Sequence, residues 1–412
     1  MTAVCLWVLG VATAFVLYTY AGYPVALLVL AAVRHRRPPF PPLAEWPPIS
    51  IVVPAYNEAA AIQTTLDNLL QVDYPAERRQ IVVLSDASTD ATDAIVAAYA
   101  SRGVELVRLP RRSGKTAVEN AALPLLRGEI IVNTDASVRV ERGAVKRLVA
   151  TFADPTVGVA SSHNVSVARL ERHANYAESW YVRYDMWVRD LESRVSGIVG
   201  AAGCLYAVRA SIHRHVLPGS MSRDFAAGLV ARERGFRALS VPDAVCFVPR
   251  VPSLRREYRR KVRTIARGIE TLVFKRHLLN PVRFGLFAWI LASRKVCRWL
   301  IPHVGALALP ALLWLAATVP GAWWGVAPVA VATACAAGAW WWPEQRPRPA
   351  CDLGADPPRR RGAWGGGHQA PSRSTMTGTV RSMMRRSSPT DSRRMYSRSN
   401  ASLRRTSSTQ LS

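Results

Sequence analysis

Thirty consecutive residues without a charge, VCLWVLGVATAFVLYTYAGYPVALLVLAAV (4–33), constrain this chain more than any other feature. About 20 apolar residues cross a bilayer as a helix. In hydrocarbon the backbone finds no water to bond, so spanning segments are helices or closed barrels. The run reads as one long or tilted helix. A cleavable leader is the competing reading, but a leader carries positive charge ahead of a shorter apolar core. Here the first charges, Arg34, Arg36 and Arg37, come after it. Basic residues gather on the cytoplasmic side of membrane helices. Residues 1–37 are therefore expected to be an anchor with its N-terminus outside, followed by a cytoplasmic domain.

Charge enters the argument at this point. The chain has 54 Lys and Arg against 28 Asp and Glu, a net of +26, together with 50% hydrophobic residues. That combination suits a membrane protein with a basic cytoplasmic face, or a nucleic-acid binder with hydrophobic segments. Much of the excess lies in the last seventy residues and beside the apolar runs, so no nucleic-acid partner is expected. The six cysteines, at 5, 204, 246, 297, 335 and 351, include no CxxC pair. Such spacing fits neither a zinc site nor a disulfide framework.

After a proline-rich spacer at 38–48, the pattern becomes one of strands alternating with helices. ISIVVPAYNE is a β-branched run ended by Pro54, and AAAIQTTLDNLLQV has helical spacing. QIVVLSDAS, VELVRL and EIIVNTDAS read as further strands, with DATDAIVAAYASRG and KTAVENAALPLL as helices between them. Such alternation predicts an α/β fold with a parallel sheet covered on both faces. Ligands of such sheets bind beyond the carboxyl ends of the strands, and Asn57, Asp86 and Asp135 all fall there. Residues 279–299 mix aromatics with spaced Arg and Lys, which suits an interfacial helix or a buried amphipathic helix of the soluble domain. Residues 301–342 hold two apolar runs parted by Pro320-Gly321, which predicts a transmembrane hairpin flanked by Trp. The Arg-, Ser-, Pro- and Gly-rich segment 343–412 has too little apolar surface to fold alone and reads as a basic disordered tail.

Two familiar phosphate cradles are absent. RRSGKT (111–116) has the end of a phosphate-binding loop, but Leu109 stands where the signature needs its first glycine. The turn PAYNEA has no glycine at all, so the dinucleotide fingerprint is missing too. A divalent cation is the other means of handling a diphosphate.

In order along the chain, IVVPAYNEA, VLSDASTDAT, SGKTAVENAAL and IIVNTDAS resemble the nucleotide-binding half of a family-2 glycosyltransferase of the GT-A, Rossmann-like fold. GAAGCLYAVR, SRDFAAGLVARERGFRALSVPDAV and RREYRRKVRTIARG resemble that family's acceptor half. The resemblance covers roughly 49–276. With its flanking apolar runs, the layout is similar to that of cellulose, hyaluronan and poly-N-acetylglucosamine synthases.

The resemblance implies the following roles. Pro54, Ala55, Asn57 and Glu58 form the loop that holds uracil and ribose, helix capping being the plainer role for the last two. Asp86 contacts the nucleoside, or caps the helix beginning near Thr89. Lys115 neutralises phosphate or contacts the base. Asp135 matches the first aspartate of an Asp-x-Asp element that holds Mg²⁺ or Mn²⁺ on the donor diphosphate and so assists its departure. Ser137 stands where the second aspartate is usual. Asp224 matches the base that takes the proton of the attacking hydroxyl, with a helix N-cap as its structural alternative. In RRKVRT, Arg260 and Arg263 take the places of the Gln and Arg of a Gln-x-x-Arg-Trp element, and Arg263 would pair with diphosphate oxygens. Thr264 replaces the tryptophan on which an acceptor sugar stacks.

The resulting expectation is a multi-pass protein of the cell (inner or plasma) membrane with a cytoplasmic catalytic domain. It would move a sugar, with inversion, from a UDP-sugar to a glycan or lipid-linked acceptor, in cell-surface polysaccharide or glycolipid synthesis. Membrane lipid is its expected surroundings, and the sequence names no partner subunit. The rivals are transfer to a polyprenyl phosphate, and a silent nucleotide-sugar-binding membrane protein.

Overall fold

The computed structural model of the protein describes residues 1–34, 40–167, 180–249, 254–327 and 331. Eight strands form one sheet: β1 (Ile49–Ala55), β2 (Arg79–Ser85), β3 (Val104–Arg108), β4 (Ile130–Thr134), β5 (Arg139–Val140), β6 (Val157–Val167), β7 (Leu205–Arg209) and β8 (Arg237–Pro249). The helices used below are α1 (Thr2–Val33), α2 (Ile62–Leu70), α3 (Thr92–Ala97), α4 (Lys115–Ala122), α5 (Ala144–Ala150), α6 (Trp180–Val195), α7 (Arg223–Glu233), α8 (Leu254–Phe274) and α9 (Leu286–Thr318).

The strand order is β3-β2-β1-β4-β7-β6-β8-β5. β1 pairs in parallel with β2 on one side and β4 on the other. Its residues alternate between two cores. Ile49, Ile51 and Val53 face Leu66, Leu69 and Leu148 of α2 and α5. Val52 faces Val118 and Ala122 of α4 and Val230 of α7. A strand covered on both faces needs an unbroken β-branched run, which ISIVV supplies.

The four strands read from the sequence, β1 to β4, pair in parallel as expected, and the later strands make the sheet mixed. β7 runs antiparallel to both β4 and β6, and β5 antiparallel to β8. The first half alternates strand and crossover helix, which enforces parallel pairing. Beyond β4 helices still separate most of the strands, yet the pairing is mixed, because β7 enters the sheet between β4 and β6 in the opposite direction.

A third core joins the sheet domain to the apolar helices. Tyr23 and Leu27 of α1, Val188, Leu191 and Val195 of α6, Phe225 and Leu229 of α7, and Phe287, Ile290 and Leu291 of α9 meet there. α1 and α9 are 32 and 33 residues long and apolar enough to cross a membrane by length and composition. They run antiparallel. Cys5 packs with Ala311 and Leu315, while at the other end the Tyr18 hydroxyl lies 2.7 Å from Ser293 Oγ. Each carries a π-helical turn at that domain-side end, Tyr18–Gly22 and Ala292–Cys297. The 279–299 stretch begins as short helical pieces around Pro281–Phe284, breaks at Gly285 (φ 54°), and from Leu286 runs on as α9. Most of the expected second half of the hairpin, at 328–330 and 332–342, lies outside the described residues, as does the tail at 343–412.

Candidate active site

The strand order reverses between β1 and β4, and sheets of this kind bind their ligands beyond the strand ends at such a switch point. The last β1–β4 pairing is Val52 with Asn133. Two residues further, the same register sets Pro54 level with Asp135.

On the β1 side, the loop after Ala55 is stitched to the loop after β2. Asn57 adopts a left-handed backbone, φ 55°, which asparagine tolerates better than most residues. Its Oδ1 accepts the Thr89 amide at 2.8 Å. The Glu58 and Ala59 amides donate to Thr92 Oγ1 at 2.8 Å and Asp90 Oδ2 at 3.1 Å. Asn57 is exposed and Glu58 half-buried. Burial, then the negative charges of Asp135 and Asp90, push the Glu58 carboxyl above its ordinary range.

Asp86 is buried at the end of β2 and does not cap the helix after Thr89. That helix, α3, is served by Asp90, whose Oδ1 accepts the Thr92 amide at 3.0 Å. Asp86 accepts the amides of Ser113 and Gly114, at 2.6 and 2.8 Å, and so holds the loop that leads into α4. Gly114 has φ 92°, a conformation that favours glycine. In the same loop the Arg112 guanidinium lies 3.9 Å from the centre of the Tyr56 ring. The loop after β1 and the loop that leads into α4 are thereby joined by a cation–π contact.

Lys115, the next residue, reaches Asp135 Oδ1 at 2.5 Å. Asp135 is therefore an ion-paired carboxylate. Burial by itself would lower the lysine. The charges of Asp135, Glu119 and Asp224 outweigh it and hold Lys115 above its ordinary value.

Asp224 is the second residue of α7, and Ser222 takes the N-cap position. The Ser222 hydroxyl donates to Asp224 Oδ1. A Cβ at Gly203 would lie 2.6 Å from Asp224 Oδ2, so only glycine leaves room for the carboxylate there. Asp86, Asp135 and Asp224 thus converge on the first turn of α4 from three separate elements. Asp86 binds its amides, Asp135 pairs with its lysine, and the charge of Asp224 acts on that lysine.

The α8 arginines divide. Arg260 is held by Glu257 at 2.8 and 2.9 Å, and the charge of Asp135 also reaches it. Arg263 is exposed and makes no ion pair among the described residues. Arg267, which the motif reading passed over, has Nη2 at 4.0 Å from a Cβ built on Gly114. Thr264 bonds back to the Arg260 carbonyl at 2.9 Å.

Other site-bordering groups also escape a linear reading. Beneath α4, fully buried Glu119 pairs with Arg223 at 3.2 Å. Burial is the main cause that lifts Glu119 above its ordinary range. Arg223 also donates to the His213 carbonyl at 2.9 Å. Lys295 of α9 lies 4.5 Å from the Phe225 ring centre and 5.9 Å from that of Trp299, beside Asp224. Glu119 lies inside the quoted SGKTAVEN motif, but its partner is a hundred residues away. Lys295 carries no motif at all.

For a divalent cation, no group of three or more His, Cys, Asp or Glu side chains gathers among the described residues. The donor set still fits a hard ion shared with a diphosphate. Asp135 and, two residues on, Ser137 are half-exposed oxygen donors beyond the end of β4, and Asp135 is paired with Lys115.

The chain matches the Glycosyl transferase family 2 model over residues 50–216. It is 28% identical over 186 residues to the beta-monoglucosyldiacylglycerol synthase of Nostoc sp. (strain PCC 7120 / SAG 25.82 / UTEX 2576). That alignment covers 44% of this chain and 39% of the relative, well under half of the latter's length. An N-acetylglucosaminyltransferase of Rhizobium leguminosarum bv. trifolii is 30% identical over 143 residues, covering 33% of this chain and 74% of that protein. Among solved structures, the mannosyltransferase PcManGT from Pyrobaculum calidifontis, in complex with GDP-Man and Mn²⁺, superposes with a TM-score of 0.62. It is 26% identical, and the match covers 80% of this chain and 92% of that one.

Proposed function

The chain belongs to glycosyl transferase family 2, and from that membership we propose that it is a membrane-bound inverting enzyme. It moves a sugar from a UDP-sugar to a lipid-linked or glycan acceptor, in glycolipid or cell-surface polysaccharide synthesis. The observation that carries this reading is the meeting of Asp86, Lys115, Asp135 and Asp224 at the first turn of α4.

In this mechanism Pro54, Ala55, Asn57 and Glu58 seat the nucleoside, with Asp86 fixing the loop opposite. Lys115, Arg260 and Arg263 face the diphosphate, whose negative oxygens suit charge-assisted bonds. Asp135, with Ser137, would hold Mg²⁺ or Mn²⁺, which supplies charge neutralisation on the departing nucleoside diphosphate. Asp224 accepts the proton of the acceptor hydroxyl as its oxygen bonds to the anomeric carbon. The bond to the diphosphate breaks on the opposite face, and the sugar inverts.

The test supplies membranes holding the full chain with radiolabelled UDP- and GDP-hexoses and divalent cation. Transfer from one UDP-sugar is expected. Asp224→Asn should cut it by about a hundredfold or more, while nucleotide affinity stays within a few-fold. Donor use restricted to GDP-sugars would reject the UDP assignment, and an active Asp224→Asn enzyme would reject the base.

One observation favours a second acceptor. Lys295 has no carboxylate within ion-pair distance among the described residues, and it stands beside Asp224. A polyprenyl phosphate would bring its own anionic oxygen to that lysine and need less of a base, so Asp224→Asn would then spare more of the transfer.

A further inference from the structure

Three side chains of α4 hold the segment that leads to Asp224. Thr116 Oγ1 donates to the Met221 carbonyl at 2.7 Å. Asn120 Nδ2 donates to the Leu217 carbonyl at 2.6 Å, and Asn120 Oδ1 accepts the Leu217 amide at 3.3 Å. Glu119 pairs with Arg223 at 3.2 Å, and Arg223 also donates to Asn120 Oδ1. Thr116, Glu119 and Asn120 are spaced to share one helix face, and Lys115 opens the same helix one turn before Glu119. From α8, Thr271 Oγ1 accepts the Ser222 amide at 3.1 Å. Leu217 and Met221 are themselves buried with Ala226. Residues 217–223 are thus fixed to α4 immediately before the chain reaches Asp224.

Stability alone does not account for a buried ion pair at this place. Glu119 and Arg223 both gave up their water on burial, and an apolar pair of similar volume stabilises as well or better. What apolar contact lacks is direction. The Arg223 guanidinium is held from three sides, by Glu119, by Asn120 Oδ1 and by the His213 carbonyl at 2.9 Å. A planar fork bound in this way has one orientation. Arg223 directly precedes Asp224, so the pose of its backbone sets the pose of the aspartate.

We infer that Glu119 and Arg223 are positioning residues for the transfer reaction. They set the Asp224 carboxylate against the Lys115 end of α4, and so hold the base at a fixed place relative to the donor diphosphate. Neither touches substrate. The groups that seat the donor, at 54–58, 86 and 115, stand without them, whereas the place of the base depends on them. A misplacement of about 1 Å in a reacting group costs on the order of a hundredfold in rate. The inference rests on the reading of Asp224 as the base, and goes beyond it by naming what places that base.

The experiment uses membranes holding the full chain, the radiolabelled UDP-hexose that the parent transfers, and tritiated UDP with Mn²⁺ to count donor sites. Glu119→Asp keeps the charge and withdraws it by one methylene, while Arg223→Lys keeps the charge and loses the fork. Each should lower kcat per UDP site about tenfold or more, with the donor KM within about threefold of the parent. Thr116→Val removes one bond from α4 to Met221, leaves the buried charges paired, and should lower kcat per site about threefold. A pair that served stability alone would reduce the number of UDP sites and the melting temperature, and leave turnover per site unchanged. Parental turnover per site in Glu119→Asp and Arg223→Lys, beside an inactive Asp224→Asn, overturns the inference and spares the base. If those two variants leave no UDP sites to count, Thr116→Val decides by the same measure. An Asp224→Asn chain that still transfers sugar removes the base itself, and the inference falls with it.

Discussion

At the scale of single residues, His213 offers a clean reading of how burial shapes titration. Its imidazole is 3% exposed, and Nε2 lies 3.2 Å from Asn133 Oδ1 at the end of β4. Burial, reinforced by the positive charge of Arg223, holds it well below its ordinary value of 6.5. The folded protein therefore binds fewer protons than the unfolded chain below that value. Stability is retained above pH 6.5 and is lost as the pH falls beneath it, at most about 1.4 kcal/mol per pH unit. Melting temperatures between pH 7.5 and 5 should fall less steeply in His213→Gln than in the parent, and parallel slopes would contradict the assignment. Some residue-level properties were legible in advance. Asp135 stood out as a carboxylate at the carboxyl end of a strand. That its partner is Lys115 was not legible, because twenty residues and a crossover helix separate the two.

At the scale of elements, α4 and α7 are joined by the buried pair Glu119–Arg223, with side chains 0% and 4% exposed. Removing one member of such a pair strands the other charge, typically at a cost of about 3–5 kcal/mol. Glu119→Gln should therefore lower the unfolding free energy by that order. The double variant Glu119→Gln/Arg223→Met should recover part of the loss, since the stranded cation is gone, and strictly additive losses in a double-mutant cycle would refute the coupling. The strands of the first half were readable from their β-branched runs, and α2 from its apolar spacing. The antiparallel placement of β7 was not. LYAVR is as apolar as IIVNT, and its direction follows from how the chain returns across the sheet.

At the scale of the whole molecule, the apolar helices are fastened to the sheet domain by a buried polar junction. Tyr23 Oη donates to Glu192 Oε1 at 2.8 Å, and Arg294 pairs with Glu192 at 3.1 Å and Asp185 at 3.0 Å. Arg298 reaches Asp185 at 3.0 Å. Glu192 is fully buried, so Glu192→Ala leaves the Tyr23 hydroxyl without its partner and Arg294 with Asp185 alone. Thermal inactivation in detergent should move several degrees lower while nucleotide binding by the sheet domain persists, and an unchanged melting curve would argue against the junction. The apolar run at 4–33, the α/β alternation and the polar residues at strand ends were determined by the sequence itself. Hydropathy, side-chain periodicity and the residue that ends a strand are local properties, expressed whatever the rest of the chain does. The tertiary structure alone decided that three aspartates meet at one helix turn, that Lys115 and Arg223 are the cations facing Asp135 and Glu119, and that α4 holds the segment leading to Asp224. Those are distances through space between residues far apart in the chain, and only the packed sheet and its crossovers set them.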